Sequence, residues 1–199
     1  MNKWLLSILL VFCAFICTNL LWGLSNNLLE TPKYSLVKKI GSFEIRQYEP
    51  MIIARTKVKS DYKNATSAGF RKIANYIFGG NNNNMSIAMT APVLTNSPVD
   101  VGDHYQVSFV MPRSYSKDTL PVPNNKDVEI VDQDLDTVAC ISFGGWATES
   151  KVKNYHEKLS NWIYKKGFKS SGKFMVAQYN SPWAIPPFRH NEILVKIKK

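Results

Sequence analysis

Residues 65–78 (ATSAGFRKIANYIF) have the periodicity of an amphipathic helix. Phe70, Ile73 and Ile77 are spaced so that they fall on one face of a helix with 3.6 residues per turn. Polar residues occupy the other side, and Gly79-Gly80 directly afterwards supplies a stop signal. This segment therefore predicts a helix that packs against a core by one face.

The pattern of this helix recurs 86 positions further along the chain. Residues 70–78 (FRKIANYIF) align with residues 156–164 (HEKLSNWIY), and three aligned pairs are identical: Lys72/Lys158, Asn75/Asn161 and Ile77/Ile163. Without a gap, the same offset aligns Met89 and Ala91 with Met175 and Ala177. The chain is therefore predicted to contain two related halves, about residues 43–113 and 129–199.

Segments in which apolar and polar residues alternate lie on both sides of each helix, and such alternation is typical of half-buried strands. Strands are predicted at residues 43–48, 51–59, 87–95 and 104–111, and again at 128–131, 137–143, 174–179 and 192–198. The order β-β-α-β-β thus occurs twice. The predicted fold class is α+β, with two pseudo-symmetric β-β-α-β-β repeats forming a distorted antiparallel β-barrel flanked by two α-helices.

Residues 1–25 have the composition of a signal peptide or a membrane anchor. Trp4 to Leu24 is an apolar run of 21 residues, and about 20 such residues suffice to cross a bilayer core. Lys3 before this run, with Gly23 and Ser25 as possible cleavage-site residues, fits a cleaved signal equally well. Residues 26–33 are predicted to be a tether. We therefore expect an exported (periplasmic or extracytoplasmic) or membrane-anchored domain, with the side of the membrane left open.

The chain has a formal net charge of +10, but its lysines are scattered and no nucleic-acid-binding motif is present. No nucleic-acid partner is therefore expected. Cys140 is the only cysteine beyond the N-terminal segment, and no cysteine–histidine spacing matches a zinc site. The sequence accordingly predicts no metal site.

No sequence pattern of a known catalytic site is present either: GxSxG, HExxH and the phosphate-binding loop are all missing. We therefore expect no catalytic residues and no enzyme activity. Phe70, Ala74 and Met89, with Arg71 and Lys72 nearby, would suit a flat apolar ligand that carries carboxylates. Packing into the core is the alternative explanation for the same apolar residues.

Five motifs make the chain similar to the SOUL haem-binding protein family: residues 43–49 (FEIRQYE), 89–93 (MTAPV), 143–146 (FGGW), 177–183 (AQYNSPW) and 187–192 (PFRHNE). The resemblance covers about residues 34–199, which we take as the folded domain. It implies the two-repeat barrel described above. It also implies binding of haem or another tetrapyrrole without catalysis, as a carrier, buffer or sensor.

The resemblance also implies where a tetrapyrrole would bind. Family members that bind haem without an axial ligand line the pocket from the first helix, and Gln47 stands where other members carry an axial histidine. With neighbouring cations and Met89 added, the predicted cofactor-binding residues are Ser67, Phe70, Arg71, Lys72, Ala74, Asn75 and Met89. No obligate protein partner is predicted. The alternative function is a binding module for another amphipathic small molecule or a protein partner, with no physiological haem.

Overall fold

The computed structural model describes residues 29–199 together with Trp4, Ser7 and Ile8. Apart from those three residues, the predicted signal peptide or anchor lies outside the described part of the chain. Among the described residues, no helix has the length and apolar character needed to cross a membrane.

The ten strands and two α-helices include the predicted elements in the predicted order, with two further strands at residues 34–40 and 169–170. They are β1 (Tyr34–Ile40), β2 (Phe43–Tyr48), β3 (Met51–Val58), α1 (Tyr62–Ile77), β4 (Val93–Asn96), β5 (Tyr105–Val110), β6 (Glu129–Gln133), β7 (Thr137–Gly144), α2 (Glu149–Lys165), β8 (Lys169–Ser170), β9 (Met175–Gln178) and β10 (His190–Lys198). β2 to β5 form the first β-β-α-β-β unit around α1, and β6, β7, β9 and β10 form the second around α2. The predicted fold class is confirmed.

The ten strands form one antiparallel sheet in the order β1-β2-β7-β10-β9-β4-β5-β3-β6, with β8 paired to β10. This order has approximate twofold symmetry, because β4 and β9 pair at its centre. The first strand of each repeat pairs with the other repeat, β2 with β7 and β6 with β3. The sheet does not close, so the predicted barrel is only an approximate description.

Strand side chains alternate between two faces, and each face has its own core. On one face, α1 packs Ile73 and Ile77 against Val107 of β5, and α2 packs Leu159 and Ile163 against β7 and β10. The opposite face carries a third cluster that contains no helix residue: Tyr48, Ile53, Leu94, Val110, Leu135, Val138, Cys140, Ala177 and Leu194. The sheet is therefore buried on both faces at its centre.

The strand predicted at residues 87–95 is wrong in its first half, since β4 spans only Val93–Asn96. Upstream of β4, backbone groups bond to other partners: the amide of Ile87 donates to the carbonyl of Ile77, and that of Ala91 to Glu30. Pro92 has no amide hydrogen to donate to a ladder. The ungapped alignment of Met89 with Met175 therefore fails here, although β3 and β7 keep the offset of 86 positions. The repeat boundaries themselves stay a prediction.

Candidate functional site

Helix α1 carries six of the seven predicted cofactor-binding residues. It begins at Tyr62, three residues before the predicted start, because Asp61 caps it by accepting a hydrogen bond from the amide of Asn64. Phe70 is half-buried and its ring lies 5.2 Å from that of Phe109.

Met89, which is also half-buried, packs against the same core cluster as Phe70. Ala74 is half-buried one helical turn after Phe70. These three side chains define the α1 flank, a strip of apolar surface along one side of the helix.

Three further apolar residues are partly buried or exposed near α1. Met85 and Val93 are partly buried and pack against the core cluster beneath α1. Phe78, at the C-terminal cap of α1, is 62% exposed. Phe78 follows Ala74 by four positions, a spacing that places neighbours on one helix surface. The apolar strip therefore extends to the C-terminal end of α1. The spacing of Ala74 and Phe78 in the sequence was the signal that could have identified Phe78.

The polar residues of the predicted set do not all face the α1 flank. Lys72 follows Phe70 by two positions, which places the two side chains about 200° apart around the helix. Its Nζ atom instead lies 2.6 Å from Oδ2 of Asp127. Arg71 is exposed and is an i, i+3 neighbour of Ala74, so it borders the flank.

The two remaining polar residues are occupied within the helix and its cap. Ser67 is exposed, and its hydroxyl donates to the carbonyl of Lys63 one turn earlier. Asn75 is exposed, and its side chain lies close against Gly80. The helix thus brings Phe70, Ala74 and Arg71 to one side of α1 and leaves Lys72 on the other, while Met89 packs against the same core cluster as Phe70.

The corresponding face of α2 has a different chemistry. With the offset of 86 positions, His156, Glu157 and Ser160 stand where α1 has Phe70, Arg71 and Ala74. His156 is buried, its Nδ1 lies 3.0 Å from Oγ of Ser97, and burial lowers its pKa. Glu157 is exposed and carries the charge opposite to that of Arg71. Of these two helices, α1 combines an apolar strip with a cation.

A second candidate lies on the face of the sheet away from the helices, in a cavity of about 380 Å³. We call it the polar cavity, and its lining residues are Thr31, Pro32, Tyr34, Lys39, Glu44, Arg46, Tyr48, Ser142, Tyr179, His190 and Glu192. Arg46 is its centre. Its Nη1 and Nη2 donate to the two carboxylate oxygens of Glu192 at 2.9 and 2.7 Å, and its Nε donates to Glu44 at 2.8 Å.

The charged groups of the polar cavity are already paired with one another. Burial pushes the pKa of Glu192 upward, but hydrogen bonds from His190, Arg46 and Tyr179 outweigh it and hold that pKa at about 2. Burial raises the pKa of Tyr48, so this phenol stays neutral. Because the carboxylate of Glu192 has four side-chain hydrogen-bond partners, Arg46, Tyr179, His190 and Ser142, we interpret this network as a structural ion cluster.

The sequence did not predict this network, because the alternation in β2 is typical of a strand whose polar side faces solvent. Glu44, Arg46 and Tyr48 alternate with Phe43 and Ile45, yet all three are buried. The partner that buries Arg46 is 146 positions away in sequence. The only signal in the sequence was that Arg46 and Glu192 both lie in family motifs, residues 43–49 and 187–192. The motifs do not indicate that these two residues are in contact.

No group of three or more histidine, cysteine or acidic side chains within residues 29–199 is arranged to hold a metal ion. Cys140 is buried there as a free thiol, and burial raises its pKa to about 12. A protonated thiol is a poor metal ligand.

A family model described as SOUL heme-binding protein matches residues 29–196. Heme-binding protein 1 of Xenopus laevis is 30% identical over 186 residues, which are 90% of this chain and 96% of that protein. Heme-binding protein 2 of Mus musculus is 32% identical over 182 residues, 86% of this chain and 87% of that protein.

A solved structure with the same architecture is that of a hydrolase from Listeria innocua. It aligns with a TM-score of 0.57 over 81% of this chain and 94% of that chain. Its sequence identity is 10%, so the likeness concerns the fold alone. The family match and both relatives, by contrast, extend over most of the folded part of the sequence. This chain belongs to the SOUL heme-binding protein family.

Proposed function

We propose that this protein binds haem or another tetrapyrrole on the α1 flank, as a carrier, buffer or sensor and without catalysing a reaction. The observation that carries the proposal is the half-exposed apolar strip of Phe70, Ala74 and Met89 beside Arg71. The family's name for haem binding, shared by its relatives, supports the choice of ligand. The names of those relatives describe binding proteins, which supports a role without catalysis.

The residues of the α1 flank suit the two ends of a tetrapyrrole. Phe70, Ala74 and Met89 would contact the apolar macrocycle, whose burial contributes about 25 cal/mol per Å² of apolar area. Arg71 would pair with a propionate through charge-assisted hydrogen bonds. Three cavities formed by described residues measure about 280 to 380 Å³, at the small end for ligand pockets, and none of the three is lined by Phe70, Ala74 or Met89. We therefore place the ligand on an open surface, without assigning an axial ligand to its iron.

Hemin titration of residues 26–199 tests this placement. The unmodified domain is expected to give a saturable Soret shift at one equivalent. Ala74→Glu introduces a carboxylate that must be desolvated against the macrocycle and that repels the propionates. We expect it to raise the dissociation constant at least about tenfold, which corresponds to 1.4 kcal/mol.

Ser160→Glu on α2 is the matched control, because Ser160 occupies the equivalent helix position and is similarly half-buried. It should leave hemin affinity unchanged, and melting curves of both variants verify that they are folded. Equal weakening by the two substitutions would place haem elsewhere. Titration curves that never saturate would argue against a specific haem site. If a lipophilic dye raised the melting temperature where hemin did not, the alternative ligand class would be favoured.

We further propose that residues 1–25 export the domain or tether it to a membrane, on the strength of the apolar run from Trp4 to Leu24. Cells producing the full chain with a C-terminal tag can be fractionated to test this. A tethered chain should keep its full mass and resist alkaline carbonate extraction from the membrane. An exported chain should be soluble and shortened by cleavage. Full-length protein in the soluble cytosol would contradict both forms of the proposal.

A further inference from the structure

Two neighbouring loops display large aromatic side chains to solvent. Trp146 follows β7 and is 50% exposed, whereas Trp183 and Phe188 precede β10 and are 74% and 44% exposed. We call these three residues the aromatic surface. The indole ring of tryptophan is apolar, but its N–H group is polar. An exposed tryptophan therefore suits a partner surface that has an apolar layer next to a hydrated layer.

A buried arginine connects the two loops of the aromatic surface. The guanidinium of Arg189 lies 3.6 Å from the ring centroid of Trp146. Its Nε donates to the carbonyl of Ala184 at 2.8 Å and its Nη2 to that of Pro182 at 2.6 Å, on either side of Trp183. Arg189 is only 7% exposed, and burial lowers its pKa. Arg189 therefore links the ring of Trp146 to the backbone on either side of Trp183.

A lysine lies beside the aromatic surface. Lys151 donates a hydrogen bond to the carbonyl of Gly144, two residues before Trp146, at 2.6 Å. Such a combination of aromatic rings and cations is complementary to the headgroup region of an anionic membrane.

The chain enters the domain near the same surface. Thr31 and Pro32 line the polar cavity together with His190 and Tyr179. Only nine residues, 25–33, separate the end of the N-terminal apolar run from β1. Fully extended, nine residues span at most about 30 Å. A tether of that length keeps the entry side of the domain close to the membrane.

We propose that the aromatic surface docks into the interface of a lipid membrane, with Trp146, Trp183 and Phe188 at headgroup level. Docking rests on the proposed tethering, which supplies a high local concentration of membrane. It also orients the domain, because the entry side faces the lipid. Lys151 can reach anionic headgroups from beside Trp146.

Fluorine NMR of the full chain labelled with fluorotryptophan tests the docking. The protein is reconstituted into phosphatidylcholine vesicles containing phosphatidylglycerol, with and without a headgroup nitroxide lipid. The five tryptophans are assigned by single Trp→Phe substitutions. We expect the nitroxide to abolish the resonances of Trp146 and Trp183. Trp162, which stacks on Phe43 at 5.0 Å, is the internal control and should stay sharp.

Trp22, within the proposed anchor, separates failure of docking from failure of tethering. One outcome is that the nitroxide broadens the resonance of Trp22 while those of Trp146 and Trp183 stay as sharp as that of Trp162. This result would overturn docking and leave tethering intact. Sharp resonances at all of these positions would overturn both. Uniform broadening that includes Trp162 would also overturn the proposal, because it would indicate contact without a preferred surface. Replacing Tyr164, an exposed aromatic residue on α2, by serine should leave the pattern unchanged.

Discussion

Arg46→Ala is expected to lower the free energy of unfolding by about 3–5 kcal/mol, the range for removing one partner of a buried ion pair. The guanidinium of Arg46 donates to both carboxylate oxygens of Glu192 and to Glu44, and all three residues are buried. Alanine would leave the carboxylate of Glu192 without its cation in a region of low dielectric, whereas Glu44 would keep its ion pair with Lys39. Urea denaturation of residues 26–199, followed by circular dichroism, measures the loss.

Arg55→Ala is the matched control, since Arg55 also forms an interstrand ion pair, with Glu129 at 2.8 Å. That pair is largely exposed, with side-chain exposures of 33% and 53%, and such pairs contribute about 0–1 kcal/mol. A similar cost for the two substitutions would contradict the idea that burial makes the Arg46 cluster essential. In the double variant Arg46→Met/Glu192→Leu, most of the lost stability should return, because no unpaired charge remains at that position.

The same cluster predicts acid sensitivity. The pKa of Glu192 is about 2 in the folded chain against an ordinary value of 4.5. Its contribution is therefore fully present above pH 4.5 and is lost as the pH falls toward 2. In Arg46→Ala the pKa of Glu192 should rise, so the variant should lose less stability than the parent across that interval. Parallel slopes for the two proteins would contradict this assignment.

Gly69→Ala is expected to destabilise the domain by about 1–3 kcal/mol through overpacking. A Cβ atom at this position would lie 2.3 Å from Cγ2 and 2.6 Å from Cβ of Val107. Alanine is the better helix former by about 1 kcal/mol, so intrinsic propensity predicts the opposite sign. The sign of the change in stability, measured by thermal unfolding of the variant, therefore shows whether helix propensity or the packing of α1 against β5 dominates.

Two further variants make the Gly69 result specific. Gly102→Ala adds the same methyl group where nothing lies within 4 Å, so its effect should stay within about 0.5 kcal/mol. Val107→Ala removes the clashing γ-carbons, so combining it with Gly69→Ala should cost less than the sum of the single changes. Strict additivity would mean that Gly69 and Val107 do not determine the approach of α1 to the sheet.

Much of the fold was predictable because strand and helix periodicities are local properties. The alternation in residues 51–59 and 137–143 identified β3 and β7, and the spacing of Phe70, Ile73 and Ile77 identified the buried side of α1. The family motifs indicated haem binding without any geometry. The strand predicted at residues 87–95 failed because its first half bonds to Ile77 and Glu30, which lie outside the expected ladder.

The sequence by itself determined the β-β-α-β-β order that occurs twice and the family, because each depends on neighbouring residues or on motifs in a fixed order. Only the tertiary structure decided that the polar side of β2 is buried against Glu192. Likewise, only the tertiary structure paired Lys72 with Asp127, 55 positions further along the chain. The physical reason is that burial and pairing are set by strands and loops distant in sequence, whereas periodicity reports only which residues share a face.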